Sequence, residues 1–254
     1  MRVITFNING LRSAWKKGLG DFISSKQPEI ILLQETRISQ KDLEKISPFQ
    51  DYPYQYYNHS DKAGYSGTAI ISKLPFEVIN DISQNLPVQN EGRYIFANIN
   101  DKLTIGNLYL PSGTSSQERQ ELKLDVLESL TQTLKQIQSP MLISGDMNLT
   151  RADIDLKNFK GNKEKPGCTT VERGLFETLL TENNLIDCHR TLEPDNWDIY
   201  TWWTYRAGAF AKNVGWRIDY HLASQELSPM IRSCQLISTP RISDHAAVML
   251  EIEI

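Results

Sequence analysis

Cysteine and histidine are scarce in this sequence. Its 254 residues include four histidines and three cysteines, Cys168, Cys188 and Cys234, with no Cys-x-x-Cys pair. An odd number of widely spaced cysteines favours neither a disulfide framework nor a zinc knuckle. We therefore expect free thiols and a reducing compartment, the cytoplasm.

Long apolar segments are absent as well. No stretch approaches the roughly 20 consecutive apolar residues that a membrane helix needs. The opening residues, MRVITFNING, read as a strand and lack the basic segment, apolar core and cleavage site of an export signal. We expect no membrane partner and no exported precursor.

The chain also lacks an excess of positive charge. It has 27 lysines and arginines against 31 aspartates and glutamates, which gives a formal net charge of -4. Nucleic-acid-binding domains usually carry a basic excess, so the overall charge does not point to that class. Net charge is weak evidence, however, because carboxylates can collect in a metal site while a basic loop such as 157–165 (KNFKGNKEK) faces a partner.

The composition is that of a globular protein, with 40% hydrophobic and 23% charged residues. No linker, repeat or low-complexity segment interrupts it, and we expect one catalytic domain over residues 1–254, a length that two packed sheets can use. Apolar runs of strand length predict strands at 3–6, 30–34, 68–72, 93–99, 103–110, 141–144, 217–223 and 246–254.

Helical patterns lie between these strands. The clearest spans about 116–138, with Ser115 and Glu118 as a capping box at its start, and others lie near 17–26 and 171–184. Strands that alternate with amphipathic helices predict an α/β protein. We expect two mixed β-sheets packed face to face, with helices outside.

Polar side chains recur where the predicted strands begin or end, the edge at which ligand groups collect in α/β sheets. They are Asn7, Asn9, Gln34, Glu35, Tyr109, Asp146, Asn148, Asp244 and His245. Taken singly, each has an ordinary alternative: Glu35 or Asp244 as a cap or loop residue, Asp146 in a turn, and His245 or Tyr109 in the core.

Their number and chemistry favour a site. Four carboxylates stand at apolar strand ends, namely Glu35, Asp146, Asp219 and Asp244. An unpaired buried charge is costly, so something positive must compensate them. With oxygen and amide ligands dominant, a hard cation such as Mg²⁺ is favoured. Asp219, in the otherwise apolar RIDYHLA, needs a partner cation, for which His245 is the first candidate and the metal the second.

The sequence resembles the exonuclease III family of apurinic/apyrimidinic (AP) endonucleases, within the endonuclease/exonuclease/phosphatase superfamily, from Arg2 to its last residue. The segments that carry the resemblance, in order, are TFNINGLRS, IILLQETRIS, KAGYSGTAIIS, EGRYIFANI, LYLPSG, GDMN, DIDLKNFKGNK, YTWWTY, KNVGWRIDYHLAS and SDHAAV. Other branches of the superfamily share QE, GDxN and SDH, whereas DLKNFKGNK and GWRIDY distinguish this one.

The resemblance implies a four-layer α/β sandwich and a DNA repair nuclease that depends on Mg²⁺, for which Mn²⁺ can substitute. Such an enzyme hydrolyses the phosphodiester 5′ to an abasic site and leaves a 3′-hydroxyl, with 3′–5′ exonuclease and 3′-end-cleaning activity. The implied partner is double-stranded DNA with abasic sites or 3′-blocked ends. We expect a monomer, associated with the nucleoid if the source is bacterial.

The resemblance also implies residue roles. Glu35 is the principal metal ligand, Asn7 belongs to the same metal site beside it, and Asp244 lies near the metal or is an alternate ligand. Asp146 activates or orients the attacking water, and Asn148 positions that water and the phosphate. Asp219 holds His245 toward a phosphate oxygen, which the Tyr109 hydroxyl also reaches.

On the substrate side, the resemblance places Tyr65 and Arg93 at the DNA backbone and Asn162 near the abasic sugar. Trp202, Trp216 and Ile218 match the residues that form a small apolar pocket for a flipped-out deoxyribose in this family. For Trp203, a place in the core and a place in this pocket both stay open.

Two other functions stay open. A phosphodiesterase or phosphomonoesterase of the same superfamily that acts on a small molecule or lipid would use the same metal site. A catalytically inactive DNA-binding module would lack part of the metal and catalytic set, yet that set is complete in this sequence.

Overall fold

The computed structural model describes residues 1–46 and 48–254, and within them two six-stranded sheets. The strands of the first sheet are β1 (Arg2–Asn7), β2 (Ile30–Gln34), β3 (Tyr54–Asn58), β4 (Thr68–Ser72), β11 (Ile231–Ile237) and β12 (Ala247–Ile252). Those of the second are β5 (Phe76–Val78), β6 (Tyr94–Ile99), β7 (Leu103–Tyr109), β8 (Met141–Asp146), β9 (Leu185–Asp187) and β10 (Asp219–Ser224).

Both sheets are mixed, as the sequence predicts. The first runs β11-β12-β1-β2-β4-β3 and the second β5-β6-β7-β8-β10-β9. Strands β1 and β2 pair in parallel, as do β7 and β8, and the remaining neighbours pair antiparallel. The eight predicted strands are the four inner strands of each sheet, whereas the four edge strands β3, β5, β9 and β11 were not predicted.

The helices are α1 (Leu11–Lys16), α2 (Leu19–Lys26), α3 (Gln40–Ile46), α4 (Asn80–Ser83), α5 (Gln117–Leu134), α6 (Thr170–Glu182) and α7 (Cys188–Leu192). The helix predicted near 17–26 is α2, whereas α1, separated from it by a turn at Gly18 with φ +92°, was not predicted. The predicted capping box at Ser115 is wrong by one residue. Ser116 is the N-cap of α5 and accepts the N–H of Arg119.

Alternation along the inner strands builds the layers. Val3, Ile30 and Leu32 point toward the other sheet and meet Ile105 and Leu142 in a shared core. The intervening residues point outward. Those of the first sheet pack on α1, α2 and α3, and those of the second on α5 and α6. The result is a four-layer α/β sandwich, which explains why both faces of the inner strands are apolar.

The space between the sheets changes from apolar to polar toward one end. Since side chains alternate along a strand, the inward rows include Val3–Thr5–Asn7, Ile30–Leu32–Gln34, Ile105–Asn107–Tyr109, Leu142–Ser144–Asp146 and Ala223–His221–Asp219. Gln34 donates to Asn107 across the gap at 2.7 Å, so the polar layer joins the two sheets. The last residue of each row is one of the polar residues that the sequence analysis places at the candidate site.

No helix in the described ranges is both long and apolar enough to cross a membrane.

Candidate active site

Glu35 and Asp146 come from different sheets and meet at the polar end. Glu35 directly follows β2 with φ +53°, and Asp146 ends β8. The amide Nδ2 of Asn7, at the end of β1, donates to Glu35 Oε1 and to Asp146 Oδ2, each at 2.9 Å. Its Oδ1 accepts the backbone N–H of Asn9. In this arrangement Asn7 bridges the two carboxylates through its NH₂ group.

Close packing of β8 on β7 places Asp146. The preceding Gly145 has φ +139°, and a Cβ there would lie 1.9 Å from the Leu108 carbonyl oxygen. Only glycine permits this approach. Across the second sheet, Asp146 is in register with Tyr109 on one side and Asp219 on the other, so three predicted site residues form one row.

Glu35 has further hydrogen-bond donors. The Tyr109 hydroxyl donates to Glu35 Oε1 at 2.9 Å. Burial and the charge of Glu35 raise the pKa of Tyr109 well above its ordinary value, so this hydroxyl keeps its proton. Arg37, half-exposed on the cleft, pairs with Glu35 Oε2. Arg37 was not predicted, although it lies two residues from Glu35 in the sequence.

Asp146 sits beside Asn148 and carries a raised pKa. Its Oδ1 accepts the backbone N–H of Asn148 at 2.8 Å, and the Asn148 side chain donates to the Leu110 carbonyl. Burial and the charge of Asp219 raise the pKa of Asp146 to about 7. Asn148 has φ +52°, and left-handed backbone at a non-glycine residue is a strained state that clusters at functional sites.

Asp219 pairs with His245, as the sequence predicts. Asp219 is the first residue of β10, and its Oδ2 lies 2.9 Å from His245 Nδ1. Burial alone would lower the pKa of His245, but Asp219 and the carboxylates nearby outweigh it and raise that pKa to about 10. The imidazole is therefore cationic at neutral pH. Its Nε2 lies 3.9 Å from Asp146 Oδ2 and points into the site.

The site offers oxygen ligands to a cation. Ligand atoms of Glu35, Asp146 and His245 lie within 4.8 Å of one another. A protonated imidazole has no lone pair to offer, so the two carboxylates are the groups that fit a metal ion. Carboxylate oxygens suit a hard divalent cation. Asp244 borders the same cleft, where its oxygens accept from the side chains of Asn9 and Trp202.

A cleft of about 690 Å³ opens over these residues. Its apolar wall contains Trp202, Trp216 and Ile218, with the two indole rings edge to face at a centroid distance of 6.3 Å. Asn162 lies on the cleft with Lys165, the last residue of the basic loop 157–165. Trp203 belongs to a separate buried cluster and donates its indole N–H to Asn213, so it is a core residue.

Arg93 differs from the expectation of a backbone contact. Its side chain is 2% exposed. The guanidinium donates to Glu91, to the Tyr109 carbonyl and to the Tyr65 hydroxyl. In this arrangement its donors are directed inward, so the geometry does not support a contact between Arg93 and the DNA. Tyr65 is partly exposed, outside the cleft lining, and its hydroxyl also accepts from Arg119.

The fold and the site together define a class. A four-layer α/β sandwich carries, at the ends of its inner strands, paired carboxylates, an amide bridge and an imidazolium held by an aspartate. These are the groups that a phosphate-ester hydrolase needs, because it must activate water and neutralise anionic oxygens.

Comparison with known proteins names the family. The endonuclease/exonuclease/phosphatase family model matches residues 4–245. An exodeoxyribonuclease of Bacillus subtilis (strain 168) is 36% identical over 260 residues, with all of both chains covered. The DNA repair nuclease APEX1 of Danio rerio is 35% identical over 259 residues, which cover 98% of this chain and 81% of that protein.

A solved structure agrees with these relatives. The AP endonuclease from Archaeoglobus fulgidus superposes with a TM-score of 0.85 at 26% identity, with all of both chains covered. The chain therefore belongs to the endonuclease/exonuclease/phosphatase family, within its group of AP endonucleases and exodeoxyribonucleases. It is a hydrolytic nuclease, and the resemblance read from the sequence is confirmed.

Proposed function

We propose that this protein is a DNA repair nuclease that hydrolyses the phosphodiester 5′ to an abasic site and leaves a 3′-hydroxyl. We also propose 3′–5′ exonuclease and 3′-end-cleaning activity on the same site. The observation that carries the proposal is the apolar wall of Trp202, Trp216 and Ile218 directly beside the Glu35–Asp146 pair. An enzyme that acts on a flipped-out nucleotide receives it in a pocket, and an apolar wall suits a deoxyribose that lacks the polar edge of a base.

The proposed cofactor is Mg²⁺, with Mn²⁺ as a substitute. Glu35 is its proposed principal ligand. Asn7, which donates to Glu35, and Asp244, which borders the same cleft, are the other residues proposed for the metal site. When bound, the ion supplies positive charge that stabilises the anionic phosphate oxygens. The partly buried carboxylates support this assignment, since a hard cation would offset their mutual repulsion.

The chain's own residues supply the proton transfer. Asp146, with a pKa of about 7, is suited to accept a proton from water at neutral pH. The Asn148 amide orients that water and the phosphate. His245 Nε2 donates to a non-bridging oxygen, and Asp219 keeps the imidazole charged and directed. The Tyr109 hydroxyl, which donates to Glu35 in the structure, would turn to another non-bridging oxygen when the phosphate binds. The imidazolium is already directed into the site, so it needs no reorganisation as negative charge develops on the phosphate oxygens.

DNA binding is proposed to involve several elements around the cleft. Asn162 would contact the strand near the abasic sugar, and Tyr65 would contact the backbone further along. Contacts of this type position DNA without reading its sequence. Arg93 supports Tyr65 and Tyr109 from below rather than meeting the phosphate.

We further propose that residues 1–254 act as one catalytic domain and as a monomer. In support, Asn7 and Glu35 come from the first sheet while Asp146 and Asp219 come from the second, so neither sheet holds the site alone. Cys168, Cys188 and Cys234 are free and buried, which supports a cytoplasmic protein.

Cleavage of defined DNA duplexes tests the function. With Mg²⁺, a duplex with one abasic site should be cut at the lesion, and an intact duplex of the same sequence should stay uncut at that position. A recessed 3′ end should be shortened as well. EDTA should abolish all cleavage. Preferential hydrolysis of a small phosphate ester, such as an inositol phosphate, would instead favour the small-molecule phosphatase.

A matched pair of variants tests the metal ligand. Glu35→Gln should raise the Mg²⁺ concentration needed for half-maximal cleavage, because it removes a charged ligand without changing shape. Glu44→Gln, on the exposed side of α3, should leave that concentration unchanged. An unchanged requirement in Glu35→Gln would remove Glu35 from the metal site.

A further inference from the structure

A fully buried ion pair lies beneath the site, between helices α5 and α6. Lys123 Nζ is 2.7 Å from Glu172 Oε1, and both side chains are 0% exposed. Glu172 also forms the capping box of α6 with Thr169. Neither Lys123 nor Glu172 lines the cleft, and neither takes part in the proposed hydrolysis.

Both members of the pair hold backbone that borders the cleft. Lys123 Nζ donates to the Asn148 carbonyl at 2.6 Å. Glu172 accepts the Gly167 N–H on both of its oxygens at 2.8 Å and the Thr169 N–H at 3.0 Å. The pair thus ties two helices to the Asn148 peptide and to the loop that carries Asn162.

The backbone held in this way has no spare room. Gly167 has φ +95°, and a Cβ there would lie 3.0 Å from the Asn148 carbonyl oxygen and 3.0 Å from the Trp216 ring. The Thr150 N–H donates to the Gly167 carbonyl at 2.7 Å. A shift of the Asn148 carbonyl would therefore disturb the wall of the sugar pocket as well.

Stability alone does not account for such a pair. Removing two charges from water costs several kcal/mol for each ion, and apolar residues of similar volume are often as stabilising. What apolar residues cannot supply is directional hydrogen bonding. Lys123 donates to one strained peptide, and Glu172 accepts from a loop N–H that would otherwise be buried without a partner.

We infer that Lys123 and Glu172 are positioning residues that fix the left-handed backbone of Asn148 and dock the 162–169 loop against Trp216. The inference rests on the role proposed above for Asn148. Lys123 acts only through the Asn148 peptide, and a misplacement of about 1 Å at a reacting group can cost on the order of 10²-fold in rate.

The test combines a neutral pair with an epistasis measurement. In Lys123→Met/Glu172→Gln, the new amide oxygen can still accept from the loop, while the donor to the Asn148 carbonyl is lost. We expect single-turnover cleavage of an abasic duplex to slow by about 10-fold or more, with its Kd changed less than about threefold. In an Asn148→Ala background, the same two changes should cause no further loss of rate.

Leu130→Ala serves as the control for general destabilisation. Leu130 is buried in the same helix α5, away from the Asn148 peptide. Its truncation should therefore lower Tm while the hydrogen bonds of Lys123 and Glu172 stay in place. The inference would be overturned if Leu130→Ala and the Lys123→Met/Glu172→Gln variant lost cleavage rate in the same proportion to their loss of Tm. It would also be overturned if Lys123→Met/Glu172→Gln slowed cleavage as much in the Asn148→Ala background as in the wild type. If the double variant fails to fold, Lys123→Met alone, which removes the donor to the Asn148 carbonyl, is put through the same epistasis test with the same two outcomes.

These results separate the two proposals. Wild-type protein that does not cut abasic DNA would contradict the proposed function. Wild-type protein that cuts abasic DNA, together with additive losses in the epistasis test, would contradict only the positioning role.

Discussion

His245 Nδ1 lies 2.9 Å from Asp219 Oδ2, in a place where both side chains are at least nine-tenths buried. Alternation along β10 turns Asp219 toward the space between the sheets, and the loop before β12 brings His245 to it. The aspartate is tolerated in an apolar strand because its partner is a cation. In turn, the cation has one ring nitrogen, Nε2, left to face the site.

The first prediction is that Asp219 and His245 act as a unit. Asp219→Asn and His245→Gln should each slow single-turnover cleavage by about 10²-fold, because each removes the directed imidazolium. The double variant should be little slower than either single one. Losses that multiply in the double variant, at saturating Mg²⁺, would show that Asp219 acts independently of the histidine.

The second prediction concerns alkaline pH. The pKa of His245 is raised to about 10, so its proton is retained well beyond the ordinary value of 6.5. Because Asp146 must be deprotonated and His245 protonated, kcat should rise through about pH 7, stay level above pH 8 and fall as pH approaches 10. His245→Gln should lack this fall. A wild-type decline centred near 6.5 would mean that the imidazole is neutral in the working enzyme.

The third prediction concerns the Tyr109 hydroxyl, which donates to Glu35. Tyr109→Phe keeps the ring and removes the donor, so we expect cleavage to slow by about 10-fold or more. Tyr94→Phe is the matched control. Its hydroxyl is also buried, on the neighbouring strand β6, but has no hydrogen-bond partner among the described residues. Equal effects of the two changes would exclude a specific role for Tyr109.

The fourth prediction separates positioning from DNA contact at Arg93. Loss of one direct phosphate contact lowers the slope of log Kd against log salt by about 1. Because Arg93 is directed inward, Arg93→Gln should slow cleavage and leave this slope unchanged. Lys165→Ala, at an exposed position on the cleft, is the comparison expected to lower it. A reduced salt slope in Arg93→Gln would show that Arg93 does contact a DNA phosphate.

The inner strands and the edge strands show how far the sequence determines the fold. Strands buried on both faces, such as β2 with every residue buried, produce continuous apolar runs that are visible in the sequence. Strand β3 has no fully buried residue, and β5 has only three residues. Such edge strands gain their structure from pairing with a neighbour, so their own sequences carry little periodic signal.

The site was predictable to the extent that it follows strand ends. Asn7, Tyr109, Asp146 and Asp219 lie on strands that the sequence reveals, and alternation sends their side chains to one place. Burial of Arg93 was not predictable, because it depends on Glu91 and on Tyr65 from another segment. The Lys123–Glu172 pair joins residues 49 apart on two helices, and no local pattern marks it.

Asp146→Asn tests the central claim most directly, namely that a site assembled from both sheets hydrolyses DNA at an abasic lesion with Asp146 accepting the proton. The change is nearly isosteric, and asparagine cannot accept a proton at neutral pH. The measurement is single-turnover cleavage of an abasic duplex together with its Kd. Asp125→Asn, exposed on α5, is the control. We predict a rate loss on the order of 10²-fold or more with a nearly unchanged Kd. Cleavage at a near-normal rate would contradict the account and assign the water's proton to another group.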